Sequence, residues 1–115
     1  YGKHYEYTGN CLYSDHYVFE ACLDKELALY DAQLNKLYQE MTGDKRIRKA
    51  ILERIKKNEL LWIQFKEADC SFMASEVNEG LEYSFIYNAC LINKTKARIA
   101  DLKRSFFYSD WFKKD

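Results

Sequence analysis

The chain holds 115 residues, enough for one small domain, and its 48% hydrophobic and 17% aromatic content is too apolar for a disordered segment. Lys plus Arg number 18 and Asp plus Glu 18, so the formal charge is zero and the basic excess that nucleic-acid binding ordinarily needs is missing. Proline is absent and glycine occurs 4 times, which leaves few helix breakers, and no apolar run is long enough to span a bilayer.

Residues 1–14 lack periodicity. Tyr1, Tyr5, Tyr7 and Tyr13 alternate with Gly2, Gly9 and Asn10, and the segment reads as an extended arm tied down by Cys11. The start at Tyr1 rather than Met is read as a mature product whose signal peptide has been removed. A first helix is expected over about 15–42, because Leu23, Leu27, Tyr30, Leu34, Leu37 and Met41 recur every three or four residues. Ser14 or Asp15 suits its N-cap, Gly43 its C′ position, and Asp15, Glu20, Asp24 and Glu26 the positive end of its dipole.

Asp44 then offers an N-cap for a second helix over 44–70. Ile47, Ile51, Ile55, Trp62 and Phe65 share its apolar stripe, and Leu60, Leu61 and Ile63 widen it enough to face two neighbours. Asn58 fills the gap in that stripe and reads as a polar contact between helices, since a buried amide needs partners. Residues 71–83 lose the pattern and contain Gly80, so they read as the longest loop, a place where function concentrates. A third helix is expected over 84–107 from Phe85, Ala89, Ile92, Thr95, Ile99, Leu102 and Phe106, followed by an aromatic, charged tail at 108–115. The expected fold is a single all-α domain over 1–115, an antiparallel three-helix bundle with an extended N-terminal arm.

Four cysteines in a short chain favour two disulfides and an oxidising compartment, with four free thiols in a cytosolic bundle as the alternative. Three pairings are possible. Cys11–Cys22 with Cys70–Cys90 is preferred because each bridge is local, while Cys22–Cys70 stays open because those helix ends should be neighbours. No CxxC occurs, His4 and His16 lack metal-ligand spacing, and no Walker loop, HExxH or nucleophile elbow is present. The expectation is a non-enzyme without metal or cofactor.

Three segments then line up with a known family. Asp31-Ala32-Gln33-Leu34-Asn35-Lys36-Leu37-Tyr38 resembles the D-x-x-L-N-x-x-Y signature of LprI-type lysozyme-inhibitor domains. Residues 61–70, from Leu61-Trp62 through Phe65-Lys66 to Cys70, are similar to that family's W-x-x-[FY]-R-[DE]-A-x-C, with Lys66 in place of Arg. Residues 90–102 are similar to its C-x(4)-T-x-x-R-I-x-x-L, which places Cys90, Thr95, Arg98 and Leu102. The resemblance implies a small secreted or periplasmic bacterial helical protein with a Cys70–Cys90 bridge, and inhibition of lysozyme. Among the matched residues, Leu34, Tyr38, Trp62, Phe65 and Leu102 lie on apolar stripes. Asp31, Asn35, Thr95 and Arg98 complete a scaffold set in which Arg98 is expected to bond a carboxylate or helix-end carbonyls, with a partner-facing role as the alternative.

The charges are segregated: residues 44–57 are rich in Lys and Arg, while 67–82 hold Glu67, Asp69, Glu76, Glu79 and Glu82 with no Lys or Arg. An acidic loop would speed encounter with a strongly basic lysozyme. Glu76, Asn78, Glu79, Glu82 and Tyr83 are therefore the expected partner surface. Two other readings belong to different classes. One is an immunity or envelope-adaptor protein that uses the aromatic arm (Tyr5, Tyr7, Tyr13, Tyr17) or tail (Trp111, Phe112) to bind a secreted effector. The other is an anionic-surface binder that uses the basic start of the second helix. A monomer or weak oligomer is expected in each case.

Overall fold

A computed structural model describes residue 11, residues 16–75, residue 77 and residues 81–104. The tail, and the arm apart from Cys11, lie outside the described residues. Among the described residues the chain forms three α-helices and no strand: α1 His16–Gly43, α2 Lys49–Ala74 and α3 Leu81–Leu102.

The buried clusters fix the topology. At one end Leu34, Leu37, Tyr38 and Met41 of α1 meet Ile47 of the turn before α2, Ile55 in the first half of α2, and Ile99 and Leu102 at the end of α3. At the other end Leu23 of α1 packs on Ala89 and Ile92 of α3 beside Cys11, and Cys70 of α2 packs on Cys90 and Leu91. The helices therefore run up, down and up. The main packing is of α3 against each of the other two, so α3 is the spine and α1 and α2 diverge above it.

The first helix stops through a turn rather than through its glycine. Gly43 is the last residue of α1, with no left-handed φ and nothing near the position of a Cβ. Asp44, expected to cap the next helix, instead turns the chain. Its Oδ1 accepts the Arg46 backbone N–H at 2.9 Å, its carbonyl accepts the Ile47 N–H at 3.1 Å, and its carboxylate pairs with the Arg46 guanidinium. The helix after it consequently begins at Lys49, with Arg48 as an extended N-cap that makes no side-chain cap bond. At its far end α2 continues past Cys70 to Ala74, where the Ser75 hydroxyl donates to the Phe72 carbonyl at 2.6 Å. Since α3 starts at Leu81, the expected 71–83 loop contracts to residues 75–80.

The two bridges are Cys11–Cys22 and Cys70–Cys90, with Cα–Cα distances of 5.8 and 5.5 Å, and no cysteine is free. The Cys22–Cys70 alternative is not formed. Glu26, read from the sequence as a helix-end charge, is instead buried beside the first bridge, with Oε2 3.6 Å from the Cys11 sulfur.

The second helix departs most from its sequence pattern. Its buried residues are Ile55, Cys70 and Ala74. Leu60, Leu61 and Phe65, expected to face neighbours, are more than half exposed. The reason is topological: α2 lies against one helix along most of its length, so a stripe wide enough for two neighbours meets one.

Candidate functional site

Because α1 and α2 diverge, a cleft of about 200 Å³ opens between them. From α1 it is lined by Asp31, Leu34, Asn35 and Tyr38, whose mutual three- and four-residue spacings put them on one face. From α2 it is lined by Glu59, Trp62, Ile63 and Lys66, which share a face for the same reason. Segments far apart in sequence thus converge on one depression. All four signature positions of 31–38 are in it, together with Trp62 and Lys66 of the second segment.

Leu34 and Tyr38 are buried and floor the cleft. Beneath them Arg98 of α3 ties the three helices together. Its Nε–H donates to the Tyr38 hydroxyl at 3.1 Å, its Nη2 donates to the Asn58 amide oxygen, and its guanidinium lies 5.8 Å from the Trp62 ring centre. Arg98 therefore bonds a phenol and an amide, not the carboxylate or helix-end carbonyls expected from sequence. Asn58 has the inter-helix partner its place in the stripe called for, although its side chain is exposed rather than buried. Burial pushes the Tyr38 phenol above its ordinary value, the Arg98 hydrogen bond and charge work against that rise, and the Glu59 charge adds to it.

The Lys66 ammonium lies 4.7 Å from the centre of the Trp62 ring, a cation–π contact that folds the lysine along the cleft wall. Lys66 is the residue that departs from the arginine of the resembled pattern. Asp31 and Asn35 line the cleft from α1, Asp31 half-buried and Asn35 exposed. The lining combines an apolar floor with carboxylates at Asp31 and Glu59 and one cation at Lys66. That arrangement accepts an aliphatic stem ending in a positive charge, the shape and chemistry of a lysine or arginine side chain.

The remaining candidates lie elsewhere. Phe65 points away from the cleft, 56% exposed, with the Lys94 ammonium 5.1 Å from its ring and Lys94 paired to Asp69. Thr95 is fully buried, and its hydroxyl donates to the Leu91 carbonyl at 2.7 Å. Leu102 belongs to the end cluster of the core. Of the expected partner surface, Glu82 is exposed in the first turn of α3, and the half-buried Tyr83 stacks on Tyr87 at 6.1 Å. Glu76, Asn78 and Glu79 lie outside the described residues, as do the arm tyrosines Tyr5, Tyr7 and Tyr13, the Tyr17 side chain, and Trp111 and Phe112. Sequence reasoning passed over Glu59 and took Ile63 for core. The signal that identifies them is spacing: Glu59 lies three residues before Trp62, and Ile63 three residues before Lys66.

A second depression, about 250 Å³ and more open, lies between α1 and α3 and carries Lys96 and Lys103 beside Tyr30. Among the described residues no group of His, Cys, Asp and Glu side chains is placed to hold a metal ion. No helix among them is long and apolar enough to cross a membrane.

A model of the family described as lysozyme inhibitor LprI matches residues 14–102. An uncharacterized protein of Rhizobium meliloti is 28% identical over 93 residues, covering 71% of this chain and 67% of the relative. The uncharacterized protein YecT of Escherichia coli is 32% identical over 101 residues, covering 75% of this chain and 61% of YecT. No solved structure matches the chain.

Proposed function

The chain belongs to the lysozyme inhibitor LprI family, and on that premise we propose that it is a secreted or periplasmic protein that binds and inhibits a lysozyme or related peptidoglycan-cleaving muramidase. The observation that carries this reading is the family match over residues 14–102. The two disulfides suit an oxidising compartment. The cleft supports the reading physically, because a strongly basic enzyme presents the lysine and arginine side chains that Asp31 and Glu59 are placed to receive.

Two surfaces divide the work in this proposal. The acidic stretch with Glu76, Asn78, Glu79, Glu82 and Tyr83 steers the encounter, an effect that weakens with salt. The α1–α2 cleft then holds one cationic side chain of the enzyme and fixes the register. The body of the bundle, laid across the enzyme, denies polymeric substrate access to its groove. Catalysis has no part in this, and neither does a metal or cofactor.

The test is a lysis assay on cell-wall substrate with the oxidised protein and both animal-type and bacterial muramidases. The proposal expects dose-dependent inhibition that saturates at one inhibitor chain per enzyme. Unimpaired lysis by every muramidase at saturating inhibitor would overturn it.

A further inference from the structure

The outer face of α2 carries an apolar stripe outside the core and the cleft, with one α3 side chain at its edge, the Lys94 ammonium 5.1 Å from the Phe65 ring. Leu61, Phe65, Ala68 and Phe72 recur at three- and four-residue steps on it, and Leu60 flanks them. Leu60, Leu61, Phe65 and Phe72 are 62%, 52%, 56% and 71% exposed. Together they leave on the order of 500 Å² of apolar surface in water, as large as the biggest patch on a typical monomer and a mark of an interaction site.

We propose that this face is the interface of a two-fold symmetric dimer in which α2 packs antiparallel on α2 of a second copy. The inference stands apart from the inhibitor reading. Three observations favour a second copy over another partner. First, the stripe is self-complementary about a two-fold axis passing between Gln64 and Phe65. Leu61 then faces the small Ala68 of the other copy, and Lys57 faces Phe72, the most exposed aromatic of the stripe. Those pairings bring a large side chain to a small one and a cation to a ring face. Second, the same face carries exposed Arg54 and Lys57 toward its N-terminal end, which repel a basic protein. Third, the chain's net charge of zero leaves no overall repulsion between two copies. Two such patches with their flanking side chains bury about 1,000 Å² or more, the lower bound for a specific interface. The cleft residues Glu59, Trp62, Ile63 and Lys66 face α1 rather than this stripe, so the cleft stays open in the dimer.

Sedimentation velocity on the oxidised protein across a wide concentration range tests the proposal. The expected result is a concentration-dependent shift from the 13.8 kDa monomer to twice that mass. Phe72→Glu and Ala68→Arg, both at exposed positions, should each weaken association by about tenfold or more while the helical circular dichroism signal is kept. Single added cysteines report the register independently: Gln64→Cys, beside the axis, should cross-link two copies, and Glu53→Cys, three turns away, should not. A monomer at every concentration would overturn the proposal. So would a dimer indifferent to both substitutions, or one that cross-links through Glu53→Cys and not through Gln64→Cys.

Discussion

Along α3, the side facing α1 and the side facing α2 are built from different chemistry. Toward α1 the seam is largely dry: Leu23, Ala89 and Ile92 are fully buried and continue into the Leu34, Leu37 and Ile99 layer, with the Arg98–Tyr38 hydrogen bond and the Lys96–Tyr30 cation–π contact as its polar crossings. Toward α2 an apolar contact is confined to the end where Ile55 joins the Ile99 and Leu102 cluster, and along the rest of the seam the contacts are a disulfide, the Lys94–Asp69 ion pair, the Arg98–Asn58 hydrogen bond, and cation–π contacts at Phe65 and Trp62. One seam is held mainly by excluded water. The other is held by discrete tethers spaced along a helix that is otherwise half in solvent. A helix attached by tethers keeps two faces for other uses, and in this chain one faces the cleft and the other carries the apolar stripe.

Removing a side chain from each seam should separate the two modes. Ile92→Ala opens a hole in the dry seam and should cost about 3–4 kcal/mol of global stability, read by denaturant unfolding. Replacing Cys70 and Cys90 together with alanine should cost about 3 kcal/mol, because that bridge closes a 20-residue separation and restricts the unfolded chain. The signature of that loss should be local: amide exchange in α2 should speed up more than in α1 or α3. Equal acceleration in all three helices would contradict the tether description. Arg98→Ala should cost about 1–2 kcal/mol, since it leaves Tyr38 and Asn58 without their partner, and lysine should not restore the loss because one ammonium cannot reach both acceptors.

The smallest effect is a pH dependence. The Tyr38 phenol is held above 10.0 in the folded chain, chiefly by burial, and Tyr87 is raised in the same direction by burial with Glu67 and Tyr83 beside it. Between the unfolded and folded pKa values the native state keeps a proton that the unfolded chain has released. Stability from these groups is therefore complete below pH 10.0 and is lost as pH rises through the folded values. Tyr38→Phe should flatten part of that alkaline decline. An identical decline in the variant would show that the phenol is not its source.

Periodicity made the dry seam legible in the sequence, because Leu23, Leu34, Leu37 and Met41 must share a face and Ala89, Ile92, Thr95 and Ile99 another. It misled on α2 for a physical reason. A hydrophobic stripe records what a helix offers to bury, not how many neighbours it meets, so Leu60, Leu61 and Phe65 gave no sign of standing in water. The helix ends were hidden by competing local chemistry, since Asp44 suits a turn as well as an N-cap and Ser75 stops α2 beyond the last residue of its apolar pattern. The local disulfide pairs were legible from sequence distance. Of the cleft, Asp31, Leu34, Asn35, Tyr38 and Trp62 were singled out, but their convergence on Glu59 and Lys66 depends on the divergence of α1 from α2, which no local pattern encodes.

The central claim, that this cleft receives a cationic side chain of a basic muramidase, is tested most directly by affinity. The measurement is calorimetric titration of a basic lysozyme with the oxidised wild type and with the Asp31→Asn, Glu59→Gln double variant, at low and moderate salt. The account predicts binding about tenfold or more weaker for the variant at low salt, a smaller gap at moderate salt, and an unchanged melting temperature. Equal affinity of the two proteins at both salt concentrations would contradict it.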